Sequence, residues 1–421
     1  MAFEIKGKTV TVIGAARSGI AVANTVIALG GRAQISEFKS RESIAAQLSA
    51  LTEPQAVAIE CGGHTKAFIE KSDYLVLSPG VRGDILPVQW AMDRGIEVMG
   101  EIEFGFRLCP CPIVAVTGTN GKTTTVTLIA QVLQAAGKKV CLCGNIGHPF
   151  SKYVPYLTPQ DIVVLEISSF QLESTIHFKP HVSVWTNFSQ NHLDQHKDLE
   201  AYFQAKCALL ANQDAHDFAI LNYQQPEHRE LAKTIKAKLI WFNSPDDPKD
   251  IDNANYLAVI KAVSALGVGE HICREVFKNF KGVEHRLEFV RTLDGVDYIN
   301  DSKATTDEAG RWALERADKP IIMICGGSDK KINYTPLKDL VAAKVKHMVA
   351  IGDIRDIIKN TFSPVVTVDT YGSFDEAIQA ARQLAVPGDA VILCPMTASF
   401  DMFDDYEHRG RVFKEKVMAL T

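Results

Sequence analysis

Residues 113–125 read Ile113-Val114-Ala115-Val116-Thr117-Gly118-Thr119-Asn120-Gly121-Lys122-Thr123-Thr124-Thr125. An apolar, β-branched run stops at a glycine, a second glycine follows, and a lysine with hydroxyls opens an amphipathic stretch. That order predicts strand, loop and helix. Glycines let backbone N–H groups wrap a phosphate, the helix N-terminus adds its dipole, and Lys122 supplies charge. A hydroxyl after the lysine is placed to ligate Mg²⁺. The spacing departs from the common phosphate loop, because Val116 stands where that pattern has its first glycine. A plain strand–turn–helix seldom needs these residues in this order, so Gly118–Thr124 reads as a phosphate site.

Working outward, similar short apolar runs recur at Thr9–Ile13, Tyr74–Leu77, Ile162–Leu165, Phe218–Leu221, Ile321–Cys325, His347–Ile351 and Ala390–Cys394. Helix-length segments separate them, which predicts βαβ units, mainly parallel sheets and helices on both sheet faces. Leu108-Cys109-Pro110-Cys111-Pro112 breaks any helix begun by Glu101–Arg107, and a second break falls near Gly282–Arg286. The expected division is 1–108, 109–285 and 286–421.

Composition narrows the classes. The 421 residues carry 45 Lys+Arg against 50 Asp+Glu, a net charge of −5, so no basic footprint for nucleic acid is present. No apolar run is long enough to span a bilayer, and the first residues interleave Glu4, Lys6, Lys8 and Arg17, unlike a secretory signal. A cytoplasmic protein is expected. The nine cysteines include Cys109-Pro-Cys111 and Cys141-Leu-Cys143, whose spacing is tighter than that of usual zinc ligands, so they are read as structural thiols.

Other motifs leave more than one reading open. Gly14-Ala15-Ala16-Arg17-Ser18-Gly19 follows a strand, but Ala16 replaces the glycine a dinucleotide fingerprint needs. It either packs a helix on its strand or binds another phosphate group. Glu37 stands where a ribose partner would. Glu166 ends a strand one βα unit after the phosphate loop and either ligates Mg²⁺ or lies solvated beside a helix capped by Ser168 or Ser169. Asn191-His192-Leu193-Asp194-Gln195-His196 clusters ligand-capable side chains after Val182–Thr186. Gly326-Gly327 reads as a tight turn, Ser399 as a possible cap of the C-terminal helix, and Phe403, Tyr406 and Phe413 as a core stripe.

Taken in order, Gly118–Thr125, Glu166 with Ser168–Gln171, Asn191–His196, His285-Arg286, Asn300–Thr305 and Ala398–Phe413 resemble the motifs of the Mur ligases across nearly the whole chain. The Asp301-Ser302-Lys303-Ala304-Thr305 stretch and the C-terminal motif resemble the D-glutamate-adding branch. The resemblance implies an N-terminal Rossmann-like UDP-sugar domain, a central P-loop-type ATPase domain and a C-terminal Rossmann-like domain completing the ATP and glutamate sites. It implies ATP-driven amide formation between UDP-N-acetylmuramoyl-L-alanine and D-glutamate through an acyl phosphate, for peptidoglycan precursor synthesis, by a monomer.

The residue roles below are all implied by that resemblance. ATP is held by Gly118, Thr119, Asn120, Gly121, Lys122, Thr123, Thr124, Arg286, Asp301 and Lys303. One Mg²⁺ takes Thr123 and Glu166, and a second takes Glu166, His192 and a carbamate on Lys206 formed from CO₂. Lys122, Glu166, His192 and Lys206 are the catalytic set. Ser18, Asn145 and His192 face the UDP-sugar, and Thr305, Lys330, Ser399, Phe400 and Tyr406 the glutamate. Ile251-Asp252-Asn253-Ala254-Asn255 departs from the family's adenine motif, as do Glu284 and Thr306 from its usual proline and asparagine. A folate-type polyglutamate ligase or a non-catalytic nucleotide-binding relative are the rival readings.

Overall fold

The computed structural model describes residues 3–189 and 197–421. The chain forms two compact units, 1–280 and 281–421. The first holds two sheets. In the N-terminal one, β1 (Thr9–Ile13), β2 (Arg32–Glu37), β3 (Val57–Cys61), β4 (Tyr74–Leu77) and β5 (Glu97–Gly100) are ordered β3-β2-β1-β4-β5 and all parallel. Successive residues of β1 serve opposite faces, with Val10 and Val12 in one core cluster and Ile13 in another. Helices therefore cover both sides, as a continuously apolar strand requires.

The middle sheet holds β6 (Ile113–Thr117), β7 (Lys139–Gly144), β8 (Asp161–Glu166), β9 (Val182–Trp185), β10 (Phe218–Asn222) and β11 (Lys238–Phe242). Its order is β11-β10-β9-β6-β8-β7, again all parallel. Along β6, Val114 and Val116 enter one cluster and Ile113 and Ala115 the other. β7 and β8 lie on one side of β6 and β9–β11 on the other. The strand order reverses at β6, and the loop leaving β6 opens into the crevice that such a reversal creates.

The helix Glu101–Leu108 joins the two sheets' regions. It stops at Cys109, because Pro110 and Pro112 keep the next residues out of helix. Its buried Glu103 accepts hydrogen bonds from the Ile176, His177 and Phe178 N–H groups at 2.9–3.0 Å and pairs with Arg107 at 2.7 Å. One carboxylate thus anchors this helix to the loop ahead of β9.

The second unit has one sheet: β12 (Glu288–Leu293), β13 (Val296–Asn300), β14 (Ile321–Gly326), β15 (Val345–Ile351), β16 (Thr367–Thr370) and β17 (Ala390–Leu393), ordered β12-β13-β17-β14-β15-β16. All pairs are parallel except the β12–β13 hairpin. Asp294 and Gly295 turn that hairpin with φ of 53° and 76°, the left-handed pair a two-residue hairpin favours. Among the described residues no helix is long and apolar enough to cross a membrane.

Candidate active site

Gly118 leaves β6 at φ 148°, and Gly121 at φ 82° caps the helix Lys122–Ala135. Both positions exclude a side chain. A Cβ on Gly118 would lie 2.0 Å from Thr186 Oγ1, and one on Gly121 2.5 Å from Asn255 Oδ1. The loop is braced from the end of β9: Thr186 Oγ1 donates to Asn120 O at 2.6 Å, and Asn187 Oδ1 accepts from Asn120 N at 2.9 Å. Lys122 folds back over the loop, its Nζ 2.9 Å from Gly118 O and 3.0 Å from Thr119 O. Thr123 is buried and Thr124 half-buried. Asn255, from the altered 251–255 stretch, touches this loop, while Asn253 caps its own helix by accepting from Asn255 N.

Glu166 ends β8 in register with Val116 of β6. Its Oε1 accepts from Asn145 Nδ2 at 2.8 Å, while Oε2 is buried and has no hydrogen-bond partner among the described residues. A buried carboxylate oxygen left without a donor is costly unless a cation meets it. A carboxylate oxygen donor suits a hard ion such as Mg²⁺. The solvated reading of Glu166 does not hold. Ser168 does cap the short helix Ser169–Leu172, with Gln171 completing a capping box.

Lys206, on the helix Leu199–Cys207, is buried at 1% exposure. Its Nζ lies 3.3 Å from both Thr117 Oγ1 and Gly118 O, and 4.7 Å above the Tyr202 ring. Burial, reinforced by the Lys122 charge, holds it well below the usual lysine range. Thr117, Thr186 and Asn187 were not singled out from the sequence. Their only local signal is position, since each follows or ends a strand beside the loop. His192, with the rest of 190–196, lies outside the described residues.

At the N-terminal turn, Gly14 takes φ 94°, and a Cβ on Gly19 would lie 2.0 Å from Gly14 O. Glu37 Oε2 accepts from Ala15 N at 2.7 Å, so this carboxylate holds the turn itself. Ser18 sits in the first turn of the helix Arg17–Ala28. A cavity of about 330 Å³ follows that helix and the segment around His148 and Tyr156, and none of the phosphate-loop residues line it.

In the second unit three loops meet at the C-terminal ends of β13, β14 and β17. Asp301 is buried, with Oδ1 accepting from Leu287 N at 3.1 Å, and burial pushes its carboxyl up to about 7. Arg286 lies over the Trp312 ring at 4.8 Å and Lys303 over Tyr406 at 5.7 Å. Lys330 Nζ reaches Thr305 O at 3.5 Å. Gly326 and Gly327 do more than turn the chain: a Cβ on either would meet Ile351 O or Ala398 O within 2.2 Å. His285, at φ 64°, bonds Asn300 Nδ2 through Nδ1 at 2.9 Å, and only a glycine at 410 clears its ring.

One expectation here is corrected. The C-terminal helix is Tyr406–Ala419 and Asp405 caps it, accepting from His408 N at 2.7 Å, so Ser399 is not its cap. Phe403 lies just before that helix and packs on Phe374, at 5.0 Å between rings, against the same core cluster that holds Phe413. Ser399 is buried and Phe400 is 73% exposed beside it.

The family models match in sequence order. The Mur ligase MurD-like N-terminal domain matches residues 8–100, the Mur ligase middle domain 116–270, and the Mur ligase glutamate ligase domain 285–397. The chain belongs to the Mur ligase family. Among relatives within it, a UDP-N-acetylmuramoylalanine--D-glutamate ligase of Koribacter versatilis (strain Ellin345) is 37% identical, covering 99% of each chain. Its namesake in Alkaliphilus metalliredigens (strain QYMF) is 36% identical over the same shares. Mur ligase structures share the fold: the UDP-N-acetylmuramate-alanine ligase MurC of Thermotoga maritima gives a TM-score of 0.60 at 18% identity, covering 98% of this chain and 99% of that one. E. coli FolC gives 0.57 at 15% identity but covers 75% of this chain and 92% of its own.

Proposed function

We propose that this chain joins UDP-N-acetylmuramoyl-L-alanine to D-glutamate with ATP, releasing ADP and phosphate, as a step of peptidoglycan precursor synthesis. The observation that carries this reading is full-length similarity, at 35–37% identity, to ligases named for that reaction. A folate-type polyglutamate ligase is disfavoured because residues 8–100 match a MurD-like N-terminal domain. A non-catalytic relative is disfavoured because Lys122, Glu166 and Lys206 are all retained around one loop.

The chemistry follows from the poor leaving group of a carboxylate. Phosphorylation by ATP gives an acyl phosphate, and the amine of glutamate attacks its carbonyl and expels phosphate. In this reading Gly118–Thr124 cradle the ATP phosphates and Lys122 swings from its loop carbonyls to the transferred group, offsetting charge that builds between two anions. Arg286, Asp301 and Lys303 bind the remainder of ATP. Ser18, Asn145 and His192 hold the UDP-sugar. Asn145 already bonds Glu166, which would set the sugar's acyl end beside the phosphate loop. Thr305, Lys330, Ser399, Phe400 and Tyr406 hold glutamate, with the cation on its side-chain carboxylate and Phe400 and Tyr406 along its stem.

The Mur ligase family implies ATP and Mg²⁺. Two ions are proposed, one held by Thr123 and Glu166 and one by Glu166, His192 and a Lys206 carbamate; when bound they screen phosphate charge. Only a neutral amine adds to CO₂, and burial shifts Lys206 toward that form. The domains would be 1–108, 109–285 and 286–421, acting as a monomer.

The test is ADP release with the UDP-sugar and each glutamate enantiomer. D-glutamate should drive turnover and L-glutamate should not. Turnover with a folate and L-glutamate, or none with any pair, would overturn the reading.

A further inference from the structure

The cysteines read from sequence as structural do not all behave alike. Cys109 and Cys111 flank Pro110 where the helix Glu101–Leu108 gives way to β6, and their sulfurs lie 3.5 Å apart. Alternate residues of an extended segment point to one side, and proline fixes the backbone between them. A disulfide would bring these sulfurs from 3.5 Å to roughly 2.05 Å. Cys111 is buried and Cys109 half-buried, and both line a cavity of about 210 Å³ with Lys179, His181 and Asp217. The pair therefore has an outer and an inner thiol beside an open space.

The hydrogen-bonding pattern separates their chemistry. The Cys111 side chain beside Cys109 favours the Cys109 thiolate and holds it below the usual thiol range. The same contact, with burial, pushes Cys111 up. As the neutral thiol, Cys109 Sγ–H donates weakly to Cys111 O at 3.4 Å. Cys141 and Cys143 form a second such pair, in which burial and the Cys141 side chain push Cys143 up, while Cys61 and Cys207 are half-buried. Cys143, Cys273, Cys325 and Cys394 are buried, and Cys325 lies in the core cluster of the second unit.

We propose that Cys109 and Cys111 form a thiol modification site, in which Cys109 is attacked by small-molecule disulfides and Cys111 resolves the adduct to an intramolecular disulfide. The Cys109 thiolate attacks one sulfur of a disulfide RSSR and expels RS⁻, leaving a mixed disulfide. Cys111 then gives its proton to solvent, attacks the Cys109 sulfur and expels the second RS⁻. Two protein thiols are oxidised by two electrons, and one RSSR is reduced to two RSH. The outer thiol is the attacking one because the thiolate is the nucleophile. This site stands apart from the ligase reading and does not depend on it.

The full-length protein is incubated with oxidised glutathione, alkylated, and cleaved with trypsin. Arg107 and Lys122 bound a peptide, Leu108–Lys122, that contains both thiols and no other cysteine. In the native protein this peptide should appear unalkylated and lighter by two hydrogens, and dithiothreitol should restore it. Cys111→Ser should stop at a glutathione adduct on Cys109. Cys109→Ser should lower the modification rate at Cys111 at least tenfold. As a check independent of any variant, the wild-type Cys109 should react with iodoacetamide at least tenfold faster than Cys111. Preferential modification of Cys111, a bridge from Cys111 to Cys141, or a native pair that stays reduced where the urea-unfolded chain oxidises, would each overturn the proposal.

Discussion

Arg409 and Ser302 are joined twice: Nε lies 3.0 Å from Ser302 Oγ, and Nη2 donates to Ser302 O at 2.9 Å. The guanidinium also reaches Thr397 O and Ala398 O at 3.3 and 3.4 Å, and is 1% exposed. One buried cation thus ties the loop after β13 to the loop after β17, the two stretches that carry Lys303, Thr305 and Ser399. Ser302 Oγ passes the link on to Tyr406 O at 2.7 Å.

Arg409→Ala leaves the Ser302 and Thr397 carbonyls and the Ser302 hydroxyl without this donor in a dry site, while Ala398 O keeps Ser328 N. We expect a loss of about 3 kcal/mol or more in the stability of the second unit, since each buried group left unsatisfied costs roughly 1–3 kcal/mol. Urea unfolding followed by tryptophan fluorescence measures it. A loss below about 1 kcal/mol would show that water replaces the guanidinium.

Lys122→Ala should abolish ADP release while the far-ultraviolet circular dichroism and melting temperature stay near those of the parent. The side chain crosses the loop surface and does not fill a core. Persisting turnover in the folded variant would remove Lys122 from the phosphate site.

Lys206→Arg puts a permanent cation at this position and cannot become a carbamate. It should be nearly inactive, and the parent should lose activity in CO₂-depleted buffer and regain it with bicarbonate. Near-parental activity of the variant at saturating Mg²⁺ would count against the carbamate.

Lys330→Ala should raise the KM for D-glutamate about 10- to 150-fold, the worth of one charge-assisted hydrogen bond, with the KM for ATP and UDP-sugar close to parental. An unaltered glutamate KM, or equal damage to all three, would misplace the glutamate pocket.

Asp301 gives a pH signature of known sign. Its folded-state carboxyl is raised to about 7 from the ordinary 3.8. The folded state therefore binds this proton more tightly than the unfolded chain does. Its contribution to stability is full below about pH 4, declines as pH rises, and is gone above about pH 7. The second unit should gain stability from pH 8 to pH 5.5 through this group. Asp301→Asn keeps the acceptor for Leu287 N and should flatten that part of the dependence. Identical pH–melting profiles for parent and variant would refute the assignment.

The strands that were legible in the sequence share a physical property. Thr9–Ile13, Tyr74–Leu77 and Ile113–Thr117 have the expected bounds, and the others differ by one or two residues. All are interior strands, buried on both faces, so their apolar runs are continuous. The strands not singled out, β3, β5, β7, β11 and β16, are sheet edges. Their residues are half-exposed, as in the exposed and intermediate positions of β3 and β16, so no such run marks them. The phosphate loop was legible because its glycines, lysine and hydroxyls are consecutive. The braces on it, Thr186 and Asn187, come from another strand and carry no pattern of their own.

By itself the sequence determined the interior strands, the phosphate loop and the order of the family's motifs, because each is written in neighbouring residues. Only the tertiary structure decided which charges are buried and what they meet. Lys206 is an ordinary lysine in a helix until packing sets it in a dry site near Lys122. Glu166 is one acid among many until β8 docks against β6 and leaves one oxygen without a donor among the described residues. Arg409 is a helix residue until two distant loops turn their carbonyls onto it. Burial and long-range hydrogen bonds are properties of the folded contacts, and no local run of residues encodes them.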